Sequence, residues 1–266
     1  MNELPAFFVS HGAPTLAIEP SPARDFLVAL GRALESEIGR PKAVLVFSAH
    51  WETSVPTVGM AASPPTIHDF GGFPEELYRL RYPAPGAVEA AGAAIELFAA
   101  AGMTAAAADS RGLDHGAWVP LRLLFPDAEV PVVQISVQPE LGPRHAYRVG
   151  DALRPLRERG VLILGSGSIT HNLRELSARP LDEAPHVTEF VEWINEQVER
   201  RDTEALLDYR RRAPNAVRNH PTEEHLLPFF TMLGAAAPGG LVRRIHRSTT
   251  FGSLRMDAYE ASVRRH

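Results

Sequence analysis

The stretch AVLVFSAHW, residues 43–51, begins with an apolar run and reaches a histidine at position 50. A continuous apolar run of this length is typical of a strand that is buried on both faces of a sheet. An imidazole is costly to bury without partners, so a histidine at the end of such a strand needs a reason. The stretch therefore predicts a core strand, and it predicts a binding role for His50.

Similar apolar runs recur along the chain and alternate with helical patterns. Strands are predicted at 5–10, 43–48, 130–137 and 161–164, and helices at 21–38, 87–101, 144–158, 184–198, 203–212 and from about 221 onward. This alternation predicts an α/β fold, with residues 1–266 forming a single domain around a central, mostly parallel or mixed sheet with helices on both faces. The long segment 53–85 is expected to form a lid or to line a site.

Composition narrows the classes of function. The chain has 266 residues, 45% of them hydrophobic, and a formal net charge of -5 with no long basic block, which argues against nucleic-acid or membrane-surface binding. It contains no cysteine, so any metal must be held by nitrogen and oxygen ligands. The acidic start of the chain does not look like an export signal, and no apolar segment approaches the roughly 20 residues of a membrane span. We therefore expect a cytoplasmic protein.

Three histidines follow predicted strands. His11, His50 and His171 each come at or shortly after an apolar run, and ligands of open α/β sheets bind at the carboxyl ends of the strands. One such histidine is most simply a strand-end residue that is hydrogen-bonded to the backbone. Three in equivalent places favour a metal or catalytic site, because neutral imidazole is the commonest metal ligand.

Two further histidines have acidic neighbours. His115 follows Asp114 in a glycine-punctuated loop, and His225 follows Glu224 in a segment where Thr222 could cap a helix. Such a helix would bring Glu224 or His225 to the site from its first turn. The plain alternatives are a solvated Asp-His turn and a charged helix start. Four other histidines are expected at the surface: His145, His186, His246 and His266.

Six blocks of the sequence are together similar to the DOPA-dioxygenase type of class III extradiol ring-cleaving dioxygenases, in the protocatechuate 4,5-dioxygenase superfamily. The blocks are FFVSHGAP (7–14), VFSAHWE (46–52), PPTIHDFGGFPEELYRLRYPAPG (64–86), LDHGAWVPL (113–121), GSGSITHNLR (165–174) and HPTEEHLLPFF (220–230). They occur in the family's order and span nearly the whole chain, which makes the resemblance specific.

The resemblance implies a mononuclear non-haem Fe(II) site, in which zinc is a frequent occupant of purified members. By motif, the metal ligands would be His11, His50 and His225. In much of the superfamily the third ligand is a glutamate. This chain has histidine there, as the DOPA type does, but it also has Glu223 where proline is usual, so Glu224 stays open as an alternative ligand.

The resemblance also implies the reaction. A catechol such as DOPA or caffeate would be opened by O₂ beside the two hydroxyl-bearing carbons, giving a muconic semialdehyde without an organic cofactor. His171 matches the acid/base histidine and would be close enough to the metal to be a possible fourth ligand. His115 matches a second catalytic histidine of the pocket, which would help to bind the substrate or to stabilise bound superoxide. The expected partners are the aromatic diol and O₂, with no nucleic acid and no membrane, and the expected state is a monomer or small homo-oligomer.

Four residues of the long segment are predicted to bind the substrate: His68, Asp69, Tyr78 and Tyr82. For the two tyrosines, ordinary packing at a loop edge is the alternative. Two other functions also fit three histidines: a zinc-dependent hydrolase with Glu224 as its base, and a non-catalytic metal-binding protein similar to the Memo-like relatives. The blocks around His115 and His171 favour the dioxygenase, because a hydrolase would not need both.

Overall fold

An eight-stranded mixed sheet forms the centre of the computed structural model, which describes residues 3–177, 183–237 and 240–262. The strands in the described residues are β1 (Ala6–Ser10), β2 (Ala43–Glu52), β3 (Thr57–Gly59), β4 (Ala106–Ala108), β5 (Val132–Val137), β6 (Val161–Gly167), β7 (Leu241–His246), β8 (Thr249–Thr250), β9 (Leu254–Arg255) and β10 (Ala258–Ser262). Their order across the sheet is β4-β3-β5-β2-β6-β1-β10-β7, and β8 pairs separately with β9.

Four neighbouring parallel strands, β5, β2, β6 and β1, make up the middle of the sheet. They are the four runs that the sequence predicts as strands. Antiparallel partners flank them: β10 pairs with β1 on one side, and β3 pairs with β5 on the other. The prediction of an α/β fold with a mostly parallel or mixed sheet is therefore confirmed.

Helices cover both faces of the sheet. The helices in the described residues are α1 (Pro22–Glu37), α2 (Glu75–Arg79), α3 (Val88–Ala100), α4 (His115–Leu124), α5 (Gly142–Leu153), α6 (Pro185–Arg200), α7 (Thr203–Leu207), α8 (Tyr209–Arg212), α9 (Ala216–Asn219) and α10 (Leu227–Gly234). Successive strand residues point to opposite faces. Phe8 and Leu45 accordingly pack in a cluster with residues of α3, α5, α6 and α10, whereas Val9 and Val46 pack in a second cluster with residues of α1 and α4.

Three predicted helices differ from the observed ones. The helix predicted at 144–158 ends at Leu153 and continues as a 3₁₀ turn, because Pro155 has no backbone N–H to extend the α-helical ladder. The helix predicted at 203–212 is divided into α7 and α8 at Asp208. The last one begins at Leu227, with Pro228 in its first turn, so the turns at 221–226 lie before the helix.

One predicted surface residue is also wrong. His186 is buried in α6, and its Nε2 lies 2.8 Å from Oε2 of Glu175. Within the described ranges, no helix combines the length and the apolar composition that crossing a membrane requires.

Candidate metal centre

Three histidines from distant parts of the chain converge at the carboxyl edge of the sheet. His11 directly follows β1, His50 lies near the end of β2, and His225 lies in the turns before α10. Nε2 of His50 is 3.0 Å from Nε2 of His11 and 3.3 Å from Nε2 of His225. A metal bound at the usual 2.0–2.1 Å from imidazole nitrogens would hold such nitrogens about 3.0–3.4 Å apart. The spacing of the three rings therefore matches a shared metal ion.

The partners on the outer side of two rings determine which nitrogen carries the proton. Nδ1 of His11 lies 3.0 Å from Oγ of Ser166, whose own hydroxyl donates to the carbonyl of Gly116, so Nδ1 is the donor. Nδ1 of His225 lies 2.8 Å from Oε1 of Glu224, a carboxylate that can only accept. Both Nε2 atoms therefore present lone pairs to the point of convergence, which is the usual arrangement behind a metal-bound histidine.

Burial keeps these imidazoles neutral. Burial first, and then neighbouring histidines, lower the pKa of His11 and of His225 well below the ordinary value. Burial and the adjacent His115 lower the pKa of His50 to about 4. Neutral imidazole is the form that binds a metal. Converging lone pairs of buried neutral rings repel one another, and a bound cation is the group that would satisfy them.

Two glycines allow this convergence. A Cβ on Gly167, at the end of β6, would lie 2.0 Å from the carbonyl oxygen of His225. A Cβ on Gly116, in the first turn of α4, would lie 2.4 Å from Oγ of Ser48 and 3.2 Å from Cε1 of His11. The turn that carries His225 and the start of α4 can therefore reach the sheet edge only because these side chains are absent.

His115 and Asp69 lie beside His50. The ring centroids of His115 and His50 are 4.0 Å apart. Oδ2 of Asp69 lies 3.0 Å from Nδ1 of His115 and 3.6 Å from Nδ1 of His50, and Oδ1 accepts the backbone N–H of His115 at 2.9 Å. Burial opposes the ionisation of Asp69, but the contacts with His115 outweigh it and lower its pKa to about 2. This side chain is therefore a carboxylate directed at two histidines.

His171 and Glu224 lie on the other side of the centre. The rings of His171 and His225 are stacked, with centroids 3.3 Å apart and planes 13° apart. Burial lowers the pKa of His171 to about 4, although Glu224, whose Oε1 is 3.9 Å from Nδ1 of His171, opposes the shift. Glu224 contacts Nδ1 of His225 and therefore lies behind that ring, away from the converging Nε2 atoms.

The long segment 53–85 contributes aromatic side chains that pack beside the histidines. Phe70 packs edge-on against His115, with centroids 5.7 Å apart, and its ring is tilted against that of Tyr78, with centroids 5.2 Å apart. The ring of His68 lies 6.0 Å from that of Tyr78, and Nε2 of His68 lies 3.1 Å from the carbonyl oxygen of Leu80. His68, Asp69 and Tyr78 are thus grouped around the start of α4.

The structure does not bring Tyr82 to this group. Its side chain is buried, and its hydroxyl donates to the carbonyl of Phe125 at the far end of α4. Ten residues of helix separate Phe125 from His115, a distance of about 15 Å. Tyr82 therefore packs in the core, because its hydroxyl finds a partner there.

Sequence reasoning did not assign a supporting role to three residues that contact the centre: Ser166, Asp114 and Phe70. Buried Asp114 caps α4 and accepts a 2.6 Å hydrogen bond from Ser48, whose Oγ in turn accepts the backbone N–H of His50. Asp114 thereby ties the end of β2 to the start of α4. The signals for these residues were only their positions: Asp114 precedes a histidine, Phe70 lies two residues after one, and Ser166 comes just after an apolar run.

A cluster of largely buried histidines at the carboxyl edge of an α/β sheet, with carboxylates behind the rings, is typical of a metal-dependent enzyme. Over residues 5–255 the chain matches the protein family described as catalytic LigB subunit of aromatic ring-opening dioxygenase. The chain belongs to this family. The prediction of an extradiol ring-cleaving dioxygenase is thereby confirmed.

Individual relatives agree with the family. The chain is 41% identical over 256 residues to a 4,5-DOPA dioxygenase extradiol of Beta vulgaris, covering 96% of this chain and 95% of that protein. It is 35% identical over 242 residues to a protein of the same name from Escherichia coli strain K12, covering 88% and 86%. A crystal structure of an uncharacterized protein from Escherichia coli K12 has a TM-score of 0.82, with 28% identity, and the match covers 97% of this chain and 100% of that one.

Proposed function

We propose that the enzyme opens a catechol such as DOPA or caffeate beside its diol with O₂ and releases a muconic semialdehyde. The observation that carries this proposal is the convergence of three Nε2 atoms next to two further histidines, the buried His115 and the half-buried His171. Three ligands leave coordination positions for a diol and O₂. The two extra histidines supply proton-transfer groups beside those positions.

The proposed metal ligands are His11, His50 and His225, with His171 as a possible fourth because its ring is stacked on that of His225. The active metal is proposed to be Fe(II), and zinc is proposed to occupy the same ligands in purified protein. The donor set of neutral imidazoles suits both ions. Bound Fe(II) would hold the diol and O₂ together and pass electrons between them.

Side chains of the protein are proposed to transfer protons and to position the substrate. Burial lowers the pKa of His171 to about 4, so the ring is neutral at neutral pH and keeps a lone pair. With that lone pair it is proposed to accept a proton from a catechol hydroxyl and to return it later. His115, which faces the same site, is proposed to assist in binding the diol. Both rings lie within a largely buried cluster, which limits the access of water to the reacting groups.

His68 and Tyr78 are proposed to form the substrate side of the site together with Phe70, while Asp69 lies against His115. The supporting observation is the set of ring contacts that joins His68, Phe70 and Tyr78 to His115. A flat aromatic substrate fits beside such rings through offset or edge-on contacts. The position of the Tyr82 hydroxyl favours the packing alternative for that residue.

The test is reconstitution with Fe(II) under anaerobic conditions, followed by addition of air-saturated buffer and DOPA or caffeate. We expect O₂ consumption and a yellow semialdehyde, with one O₂ used per ring opened. Resorcinol, whose hydroxyls are not adjacent, is the matched control and should give no uptake. If iron is bound and no catechol in a broad panel causes O₂ uptake, the proposed function is wrong.

The hydrolase alternative is less well supported. It requires Glu224 as a base at the open side of the metal, but Oε1 of Glu224 contacts Nδ1 of His225 at 2.8 Å and accepts from Thr222 at 3.1 Å. The carboxylate is thus engaged behind a ligand. A cytoplasmic location, an oligomeric state no larger than a small homo-oligomer, and the lack of nucleic-acid or membrane partners stay predictions from the sequence.

A further inference from the structure

Asp69 contacts one histidine through both of its carboxylate oxygens. Oδ1 accepts the backbone N–H of His115 at 2.9 Å, while Oδ2 lies 3.0 Å from Nδ1 of the same residue. That Nδ1 is buried and has no partner in hydrogen-bond geometry in the described part of the chain, and Oδ2 of Asp69, at 3.0 Å, is the carboxylate oxygen beside it. With both oxygens directed at His115, the carboxylate has its polar atoms turned toward the protein, and a role in orienting this ring explains the geometry better than substrate binding.

The contact determines the tautomer of His115. An ionised carboxylate can only accept, so a carboxylate beside Nδ1 favours the tautomer that carries its proton on Nδ1. Nε2 then carries the lone pair of the ring. Phe70, the next residue, packs edge-on against the ring at 5.7 Å and restricts its rotation. The same short segment therefore fixes both the proton and the plane of the ring.

We propose that Asp69 is a positioning residue that holds His115 as the Nδ1–H tautomer, so that Nε2 acts as a hydrogen-bond acceptor toward a catechol hydroxyl. The catalytic consequence of this inference rests on the proposed function, whereas the tautomer itself does not. Oδ2 also lies 3.6 Å from Nδ1 of His50, so the carboxylate aligns His115 with a proposed metal ligand. Outer partners of this kind typically change activity by about 10- to 100-fold.

The variant Asp69→Asn keeps the shape of the side chain but replaces the acceptor beside Nδ1 of His115 with a hydrogen-bond donor. The backbone N–H of His115 can only donate, so the amide oxygen must take the place of Oδ1. The amide NH₂ then faces Nδ1 and donates to it, which moves the ring proton to Nε2. An Nε2–H would point a donor at the site in place of a lone pair.

The deciding measurement is nuclear magnetic resonance of zinc-loaded protein with isotopically labelled histidine, in which long-range proton-nitrogen correlations report the tautomer. The signal of His115 is assigned by its loss in His115→Gln. We expect an Nδ1–H tautomer in the wild type and an Nε2–H tautomer in Asp69→Asn. The same tautomer in both proteins would overturn the inference, whether or not the enzyme cleaves catechols.

Kinetics separate positioning from substrate binding. With Fe(II) restored, Asp69→Asn should bind one equivalent of metal, lose about 10- to 100-fold in kcat and change little in KM. Asp109→Asn, at an exposed aspartate, is the matched control and should behave like the wild type. A raised KM with unchanged kcat would indicate direct substrate binding by Asp69 and would contradict the proposal. Failure of the wild type to turn over any catechol would refute the proposed function but leave the tautomer result intact.

Discussion

Gly167→Ala is expected to damage the metal centre without altering any ligand. The added Cβ would lie 2.0 Å from the carbonyl oxygen of His225, and ordinary van der Waals contact begins at 3.4 Å, so the turn must move by about 1.4 Å. Gly167 is not among the residues with positive φ, so alanine suffers no backbone penalty there and the clash acts alone. The carbonyl of His225 also accepts the N–H of Ser168 at 2.8 Å, and that hydrogen bond is stretched as well.

The expected magnitudes follow from this displacement. Metal–nitrogen distances tolerate changes of about 0.2 Å, far less than the movement of His225. We expect zinc affinity to fall by about 10- to 100-fold and turnover by roughly 100-fold. Overpacking of this kind costs about 1–3 kcal/mol in the free energy of unfolding, so the variant should still fold.

The assay is a zinc titration against a competing chelator, combined with thermal unfolding in the presence and absence of zinc. The wild type should gain thermal stability on adding zinc, and Gly167→Ala should lose most of that gain. Gly92→Ala is the control, because a Cβ there meets nothing within 4 Å and alanine suits the middle of α3. A folded Gly167→Ala protein that binds zinc as tightly as the wild type would show that His225 does not need its present position, and the ligand assignment would be refuted.

Two further predictions concern histidines. His50→Ala should lose the metal, whereas His171→Ala should keep it and lose turnover; loss of metal in both, measured by elemental analysis, would make His171 a ligand. Burial lowers the pKa of His220 to about 4, while its Nε2 donates to the carbonyl of Ile169. In the unfolded chain this histidine takes up a proton near its ordinary pKa of 6.5, whereas the buried ring stays neutral down to about pH 4. The contribution of His220 to the free energy of unfolding is therefore present above pH 6.5 and is lost as the pH falls to about 4. Over that pH range the free energy of unfolding of metal-free His220→Gln should therefore fall by about 3 kcal/mol less than that of the metal-free wild type. An equal fall in both proteins would contradict the lowered pKa of His220.

The sequence by itself determined the framework of the site. Apolar runs such as 43–48 predict buried strands from local composition alone, since a strand covered on both faces needs apolar side chains at every position. Parallel strands bring their carboxyl ends to one edge, so His11 and His50 were correctly expected to share a location. The family blocks added His115 and His225, neither of which periodicity alone could assign to the site, and they gave His171 its acid/base role.

The tertiary structure decided how the side chains are used. His225 reaches His50 across 175 residues of chain, from a turn that packs against Gly167 and not from the first turn of a helix. Asp69 lies behind His115, while Tyr82 turns its hydroxyl to the far end of α4, although both belong to one segment. Local sequence determines strands because their hydrogen bonds and burial repeat regularly. The direction of a loop side chain depends on the one distant partner that satisfies its polar atom, and only the folded chain brings that partner within reach.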